Sequence, residues 1–182
     1  MKRSAIQFFF CVAISSTPAP LLADLSIGRV YAIEFTDLNG NALSTGDDHI
    51  SIVIVVTRAT WTKAQAIGDR VPDIYVGDST HRLITIVKFG KHTGPVRALL
   101  AAGARRRLNA EARRVQPRYA ARKITRDPRH DIFAVADFEG TIAARLGVHN
   151  DTFRIFVFGR NGELLAEWND VPRAEELAAV LK

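Results

Sequence analysis

Cysteine is the scarcest functional residue here: the 182-residue chain has one, Cys11, inside its first apolar run. One cysteine excludes an internal disulfide, a two-cysteine redox centre and a cysteine-based zinc cluster. A Gly-rich phosphate loop, a Gly-x-Ser-x-Gly elbow and a His-Glu-x-x-His helix are also absent, which removes the usual sequence signatures of nucleotide-binding, esterase and zinc-protease chemistry. No apolar run reaches the roughly 20 residues of a membrane-spanning helix. After residue 24 there is no repeat, no low-complexity linker and no Pro/Gly-rich boundary. The rest is a globular composition, 47% hydrophobic and 24% charged, in a length that suits one domain.

The first 23 residues carry a targeting pattern. Met1-Lys2-Arg3 is a short basic start, Ala5 to Ile14 is apolar and contains Phe8, Phe9 and Phe10, and Ser15 to Pro20 breaks any helix before Ala23-Asp24. A basic start, a short apolar region and a small residue ahead of an acidic one describe a secretory signal peptide. Residues 1–23 are therefore expected to be the signal and residues 24–182 the domain. Export to a bacterial periplasm or secretion follows, with no transmembrane helix left after cleavage. Cleavage after Ala23 removes Cys11 and leaves 159 residues with 23 basic and 19 acidic side chains and no thiol.

Along the domain, Val30 to Phe35 reads as a short strand and Asn39-Gly40-Asn41 as a turn. Ile50 to Val56 is a nearly continuous β-branched run, the pattern of a central strand covered on both faces. Trp61 to Asp69 suits a helix and Arg82 to Phe89 a second buried strand. Pro95 to Gln116 is predicted as a long helix whose apolar stripe runs Val96, Leu100, Ala104, Leu108, Ala112, Val115 and Tyr119, ended or kinked by Pro117. Ile132 to Phe138, Phe153 to Phe158 and Glu163 to Trp168 are predicted strands. Thr141 to Leu146 and Arg173 to Leu181 are predicted helices. Alternating strands and helices, closed by a hairpin and a helix, predict an α/β fold: a central mixed sheet with helices on both faces.

This order, with an added N-terminal strand and hairpin and an inserted long basic helix, resembles the thioredoxin-like superfamily, and within it the peroxiredoxin-like branch. The resemblance spans residues 30–181. Asp37 to Ser44 is similar to that branch's opening hairpin. Val55 to Gln65 is similar to its central strand and redox helix, and Asp137-Phe138-Glu139-Gly140 with Leu146-Gly147-Val148 to its later strand and helix. Asn161-Gly162, Pro172 and Glu175-Glu176-Leu177 complete the likeness. The departures lie at the chemistry. In Trp61-Thr62-Lys63-Ala64-Gln65, Thr62 and Gln65 stand where the resemblance places two cysteines, after Trp61. The superfamily's cis-proline is also missing, since Thr152 and Phe153 precede the strand that would face the site. Thiol exchange needs a thiolate at a helix N-terminus, and a threonine hydroxyl neither ionises near neutral pH nor forms disulfides. No thiol-peroxidase or disulfide-oxidoreductase activity is therefore expected, and no catalytic residue is assigned.

The basic segment is the other unusual feature. Between Pro95 and His130 stand Arg97, Arg105, Arg106, Arg107, Arg113, Arg114, Arg118, Arg122, Lys123, Arg126 and Arg129, opposed only by Glu111 and Asp127. A helical wheel puts Arg106 with Arg113 and Arg107 with Arg114, away from the apolar stripe. These four are the candidate anion- or partner-binding residues, for an acidic envelope protein or a polyanion. The plainer reading of the same residues is a solvated face salt-bridged to acids of its own domain. Nucleic acid is not expected: only Tyr119 offers a stacking surface in the segment, and export argues against it.

No two of the five histidines have metal-ligand spacing, so neither a metal nor another cofactor is expected. Asp137 and Glu139 sit near a strand end, where helix capping is the simpler role. Three functional readings follow: a non-catalytic binding or adaptor protein of the cell envelope, a thiol-independent enzyme using the former redox cleft around Thr62, Lys63 and Asp137, or an antioxidant-associated role exerted through a partner.

Overall fold

The computed structural model describes residues 25–182; the signal-peptide reading of residues 1–23 lies outside them. The elements are β1 (Glu34–Thr36), β2 (Ala42–Ser44), β3 (Ile50–Val56), α1 (Trp61–Arg70), β4 (His81–Lys88), α2 (Gly94–Ala121), β5 (Ile132–Asp137), α3 (Thr141–Arg145), β6 (Arg154–Phe158), β7 (Leu164–Trp168) and α4 (Ala174–Val180). Five strands form one mixed sheet in the order β5-β4-β3-β6-β7, with β1 and β2 as a separate antiparallel pair. β3, β4 and β5 are parallel, while β6 and β7 run antiparallel to their neighbours. This is the thioredoxin-like fold with an extra hairpin and a 28-residue α2.

Every residue of β3 is buried, because the strand lies at the centre of the sheet and both its faces are covered. The twofold alternation of side chains divides the core. Val53 and Val55 join Ile84, Ile86, Val135 and Phe156 under α3 and the β1–β2 hairpin. Ile52, Ile54 and Val56 face the other way, toward Trp61 and Ile67 of α1 and Leu177 of α4. The crossovers from β3 to β4 and from β4 to β5 step in one direction, so right-handed connections put α1 and α2 on the same face. α2 packs there through Ala104, Leu108, Val115 and Tyr119.

The hairpin is tied to the sheet by Arg82, a buried cation at the start of β4. Its Nη1 and Nη2 donate to the two carboxylate oxygens of Asp47 at 2.7 and 2.6 Å, and its Nε donates to Ser51 Oγ at 2.9 Å. Burial favours the neutral acid at Asp47, yet the hydrogen bonds from Arg82 and the Ser44 N–H outweigh it and hold this carboxyl below the usual range. The Asn161-Gly162 turn is closed against the other end of the same segment: Gly162 has φ +83°, and a Cβ there would lie 2.5 Å from the Tyr31 carbonyl oxygen.

Three sequence expectations change. The first strand is displaced to Glu34–Thr36; Val30 forms only an isolated bridge with Glu163. α2 continues through Pro117 to Ala121 instead of stopping at Gln116. Its last turn is held from outside: Arg118 donates to the Gly68 carbonyl at 2.9 Å and Tyr119 Oη to Asp131 Oδ2 at 2.5 Å. At the other end, Val96 is 41% exposed, so the apolar stripe contacts the sheet only from about Leu100 onward.

Candidate functional site

Thr62 and Gln65, which the resemblance aligns with redox thiols, sit where β3 leaves the sheet. Thr57 N–H donates to Thr60 Oγ1 at 2.9 Å in the turn that starts α1. Trp61, the first helical residue, is buried among Val87, Phe153 and Ile155. Thr62 follows, exposed on the first turn, and its hydroxyl has no hydrogen-bonded base among the described residues. Gln65 is half-buried, with Nε2 at 3.5 Å from Glu111 Oε2. Lys63 Nζ donates to Asp170 Oδ1 at 2.9 Å and lies 5.2 Å from the centre of the Phe153 ring.

Phe153 itself is buried immediately before β6, and no cis peptide bond occurs among the described residues. Activating a hydroxyl nucleophile requires a base within hydrogen-bond reach, commonly about 2.6–3.2 Å. Asp137 does not provide one. It belongs to the sheet face of Val135, opposite α1, and its Oδ2 accepts from the Ala143 N–H at 2.8 Å, capping α3. Thr62, Lys63 and Asp137 are therefore not brought together.

The arginines of α2 divide into two sets. Six of the eleven basic side chains between Pro95 and His130 are held by their own domain. Arg97 pairs with Glu139, Arg114 with Glu111 and Asp69, Arg118 with Asp73 and Arg126 with Asp131. Arg105 and Arg122 donate to the carbonyls of Leu38 and Val76. Of the four candidates, Arg114 is thus tied to α1, and its two carboxylate partners raise its already high pKa further. The wheel turned it away from the stripe but could not show that α1 lies on that side. Arg107 also leans toward α1, its guanidinium 5.4 Å from the centre of the Trp61 ring. Arg106 and Arg113 are exposed and carry no ion pair or hydrogen bond of their side chains among the described residues. Arg113 lines an open groove with Gln116, Thr125, Asp127 and Arg129.

A buried Tyr119–Asp131–Arg126 network, unread in the sequence, anchors the end of α2 to the start of β5. Arg126 Nη2 lies 2.7 Å from both oxygens of Asp131, and burial together with the Asp131 carboxylate pushes the Tyr119 phenol well up. The signal available was a lone tyrosine at the end of the apolar stripe, which when buried needs a partner for its hydroxyl. His81 is a satisfied core histidine, stacked on Tyr75 at 4.5 Å with Nε2 at 3.1 Å from the Leu181 carbonyl. Among the described residues, no three His, Cys, Asp or Glu side chains are grouped to hold a metal ion.

No family model and no curated protein sequence matches the chain. Solved structures do. A candidate protein disulfide isomerase from Bacteroides thetaiotaomicron aligns with TM-score 0.53 at 12% identity, covering 86% of each chain. The thioredoxin domain of a thiol-disulfide oxidoreductase from Bacteroides vulgatus aligns with TM-score 0.51 at 11% identity, covering 87% of this chain and all of that one. At such identities the likeness is one of fold alone, and the fold is thioredoxin-like.

Proposed function

We propose that the chain is an exported thioredoxin-fold protein that works by binding instead of thiol chemistry. Its partner is an acidic protein or polyanion of the cell envelope, met through the free arginines of α2. The observation that carries this reading is the composition of the redox position. Thr62 and Gln65 replace the two thiols, Trp61 is packed into the core beside them, and Phe153 occupies the place before β6. Residues 24–182 hold no sulfur nucleophile with which to reduce a peroxide or exchange a disulfide. Within the superfamily, the opening hairpin at Asp37 to Ser44 and the closing Asn161-Gly162 hairpin favour the peroxiredoxin-like branch. Export is supported by the basic-apolar-small pattern of residues 1–23.

The test is capture from an envelope extract at low and high salt, using the chain and an Arg106→Gln/Arg113→Gln variant as baits. The reading predicts a partner retained at low salt, released by high salt and lost on the variant. A partner held equally by the variant in both buffers would overturn the electrostatic reading.

A further inference from the structure

The lifted start of α2 leaves a groove beside Trp61, on the side where Arg107 leans over the indole ring. Arg58, Trp61, Phe89, Leu99, Gly103 and Arg107 line it, around a cavity of about 120 Å³. Leu99 is 73% exposed, the largest value among the exposed large apolar side chains of the described residues, and Val96 on the preceding turn is 41% exposed. The floor is apolar, formed in part by the buried Val87 and the face of Trp61. Both charged side chains of the lining are cationic, and neither Arg58 nor Arg107 has a carboxylate partner among the described residues. The groove is separate from the exposed Arg113 surface, which faces the loop before β5.

Size and charge together define what fits. An apolar cavity of about 150 Å³ holds a ligand the size of benzene, so this one accommodates a single aliphatic side chain and not an acyl tail. Two guanidinium groups beside an apolar floor match carboxylates flanking that side chain. We propose that this groove docks an acidic segment of a partner protein, which inserts one aliphatic side chain beside Trp61 and sets its carboxylates against Arg58 and Arg107. The proposal rests on the binding-protein reading above and gives that partner a chemistry: leucine-like at the centre and acidic around it.

Gly103 provides a test that spares the core. Gly103 lines the groove and a Cβ built there meets nothing within 4 Å, so Gly103→Ala is accommodated without a shift, Gly103→Leu is the variant designed to occupy the groove, and both favour helix over glycine. Binding of a labelled Glu-Asp-Leu-Asp-Glu peptide to the full chain at low salt is followed by fluorescence anisotropy. A Glu-Asp-Ser-Asp-Glu peptide is the control, and circular dichroism checks that each variant is folded. The leucine peptide should bind about tenfold more tightly than the serine peptide, the effect of burying one aliphatic side chain. Gly103→Ala should keep that preference. Gly103→Leu should abolish it, and Arg58→Gln/Arg107→Gln should weaken both peptides. Equal binding of the two peptides, or a preference unchanged in Gly103→Leu, overturns the groove. If that equal binding is lost in Arg106→Gln/Arg113→Gln, the wider reading of an acidic partner stands; if neither peptide binds, both fail.

Discussion

A hydroxyl at position 62 and an amide at position 65 fix what the first turn of α1 can do, because neither group supplies a thiolate at neutral pH. The helix itself is regular from Trp61 onward, so what distinguishes its first turn is side chains and not backbone. Residues three apart in an α-helix have neighbouring Cβ atoms, and disulfides accept Cα separations of about 4.4–6.8 Å. Thr62→Cys with Gln65→Cys should therefore form an intramolecular disulfide under mild oxidation, seen as the loss of two titratable thiols in a Cys11→Ser background. Two thiols that persist under oxidation would show that α1 does not begin as a redox helix does. Thr62 and Gln65 were legible in the sequence because they follow Trp61 at the end of a β-branched strand. The fate of Arg114 was not. Its partners Glu111 and Asp69 lie on two helices, and Asp69 is 45 positions away in the chain.

At the scale of elements, β3 could be read from its continuous β-branched run and α2 beyond its first turns from the hydrophobic period that marks its buried face. Periodicity does not report where a helix leaves its sheet, so Val96 was placed in the stripe although it is exposed. Pro117 was expected to end or kink α2; it does not end it, and contacts from Arg118 and Tyr119 to other segments hold the turn that follows. An interior proline costs roughly 3 kcal/mol, part of which is offset by the stiffness it gives the unfolded chain. Pro117→Ala is thus expected to stabilise the protein by about 1–3 kcal/mol in urea denaturation. A loss of stability would mean that the helix needs the proline's geometry.

The hairpin clamp contributes to the response to acid. A carboxyl held below its unfolded pKa contributes stability that is present above about pH 3.9 and lost as pH falls through the folded value. Asp47 is such a group. Thermal melts taken near pH 6 and near pH 3 should therefore differ more for the wild type than for Asp47→Asn. Equal differences would remove Asp47 from the acid response. Arg82 stands at the start of a largely buried strand, and the approach of the β1–β2 hairpin, which brings Asp47 to it, explains a buried guanidinium there.

Over the whole molecule, the sheet separates two faces with different tasks. The hairpin and α3 close one; α1, α2 and α4 cover the other and carry the Thr62–Gln65 turn, the exposed Arg106 and Arg113, and the groove. The succession of strands and helices along the chain was legible from apolar runs, helical spacing and turn residues. The pairing of opposite charges across the domain was not, because it depends on elements far apart in sequence. Four of the arginines in the basic segment form ion pairs with acids of the same domain, so the charge available to a partner is much smaller than composition implies.

The central claim is that this thioredoxin fold carries no thiol chemistry, and turnover tests it most directly. Peroxide consumption and insulin disulfide reduction would be measured for the full chain and for Cys11→Ser, with dithiothreitol as the reductant. The account predicts that Cys11→Ser shows no rate above the protein-free control in either assay. A rate in Cys11→Ser clearly above that control would contradict it.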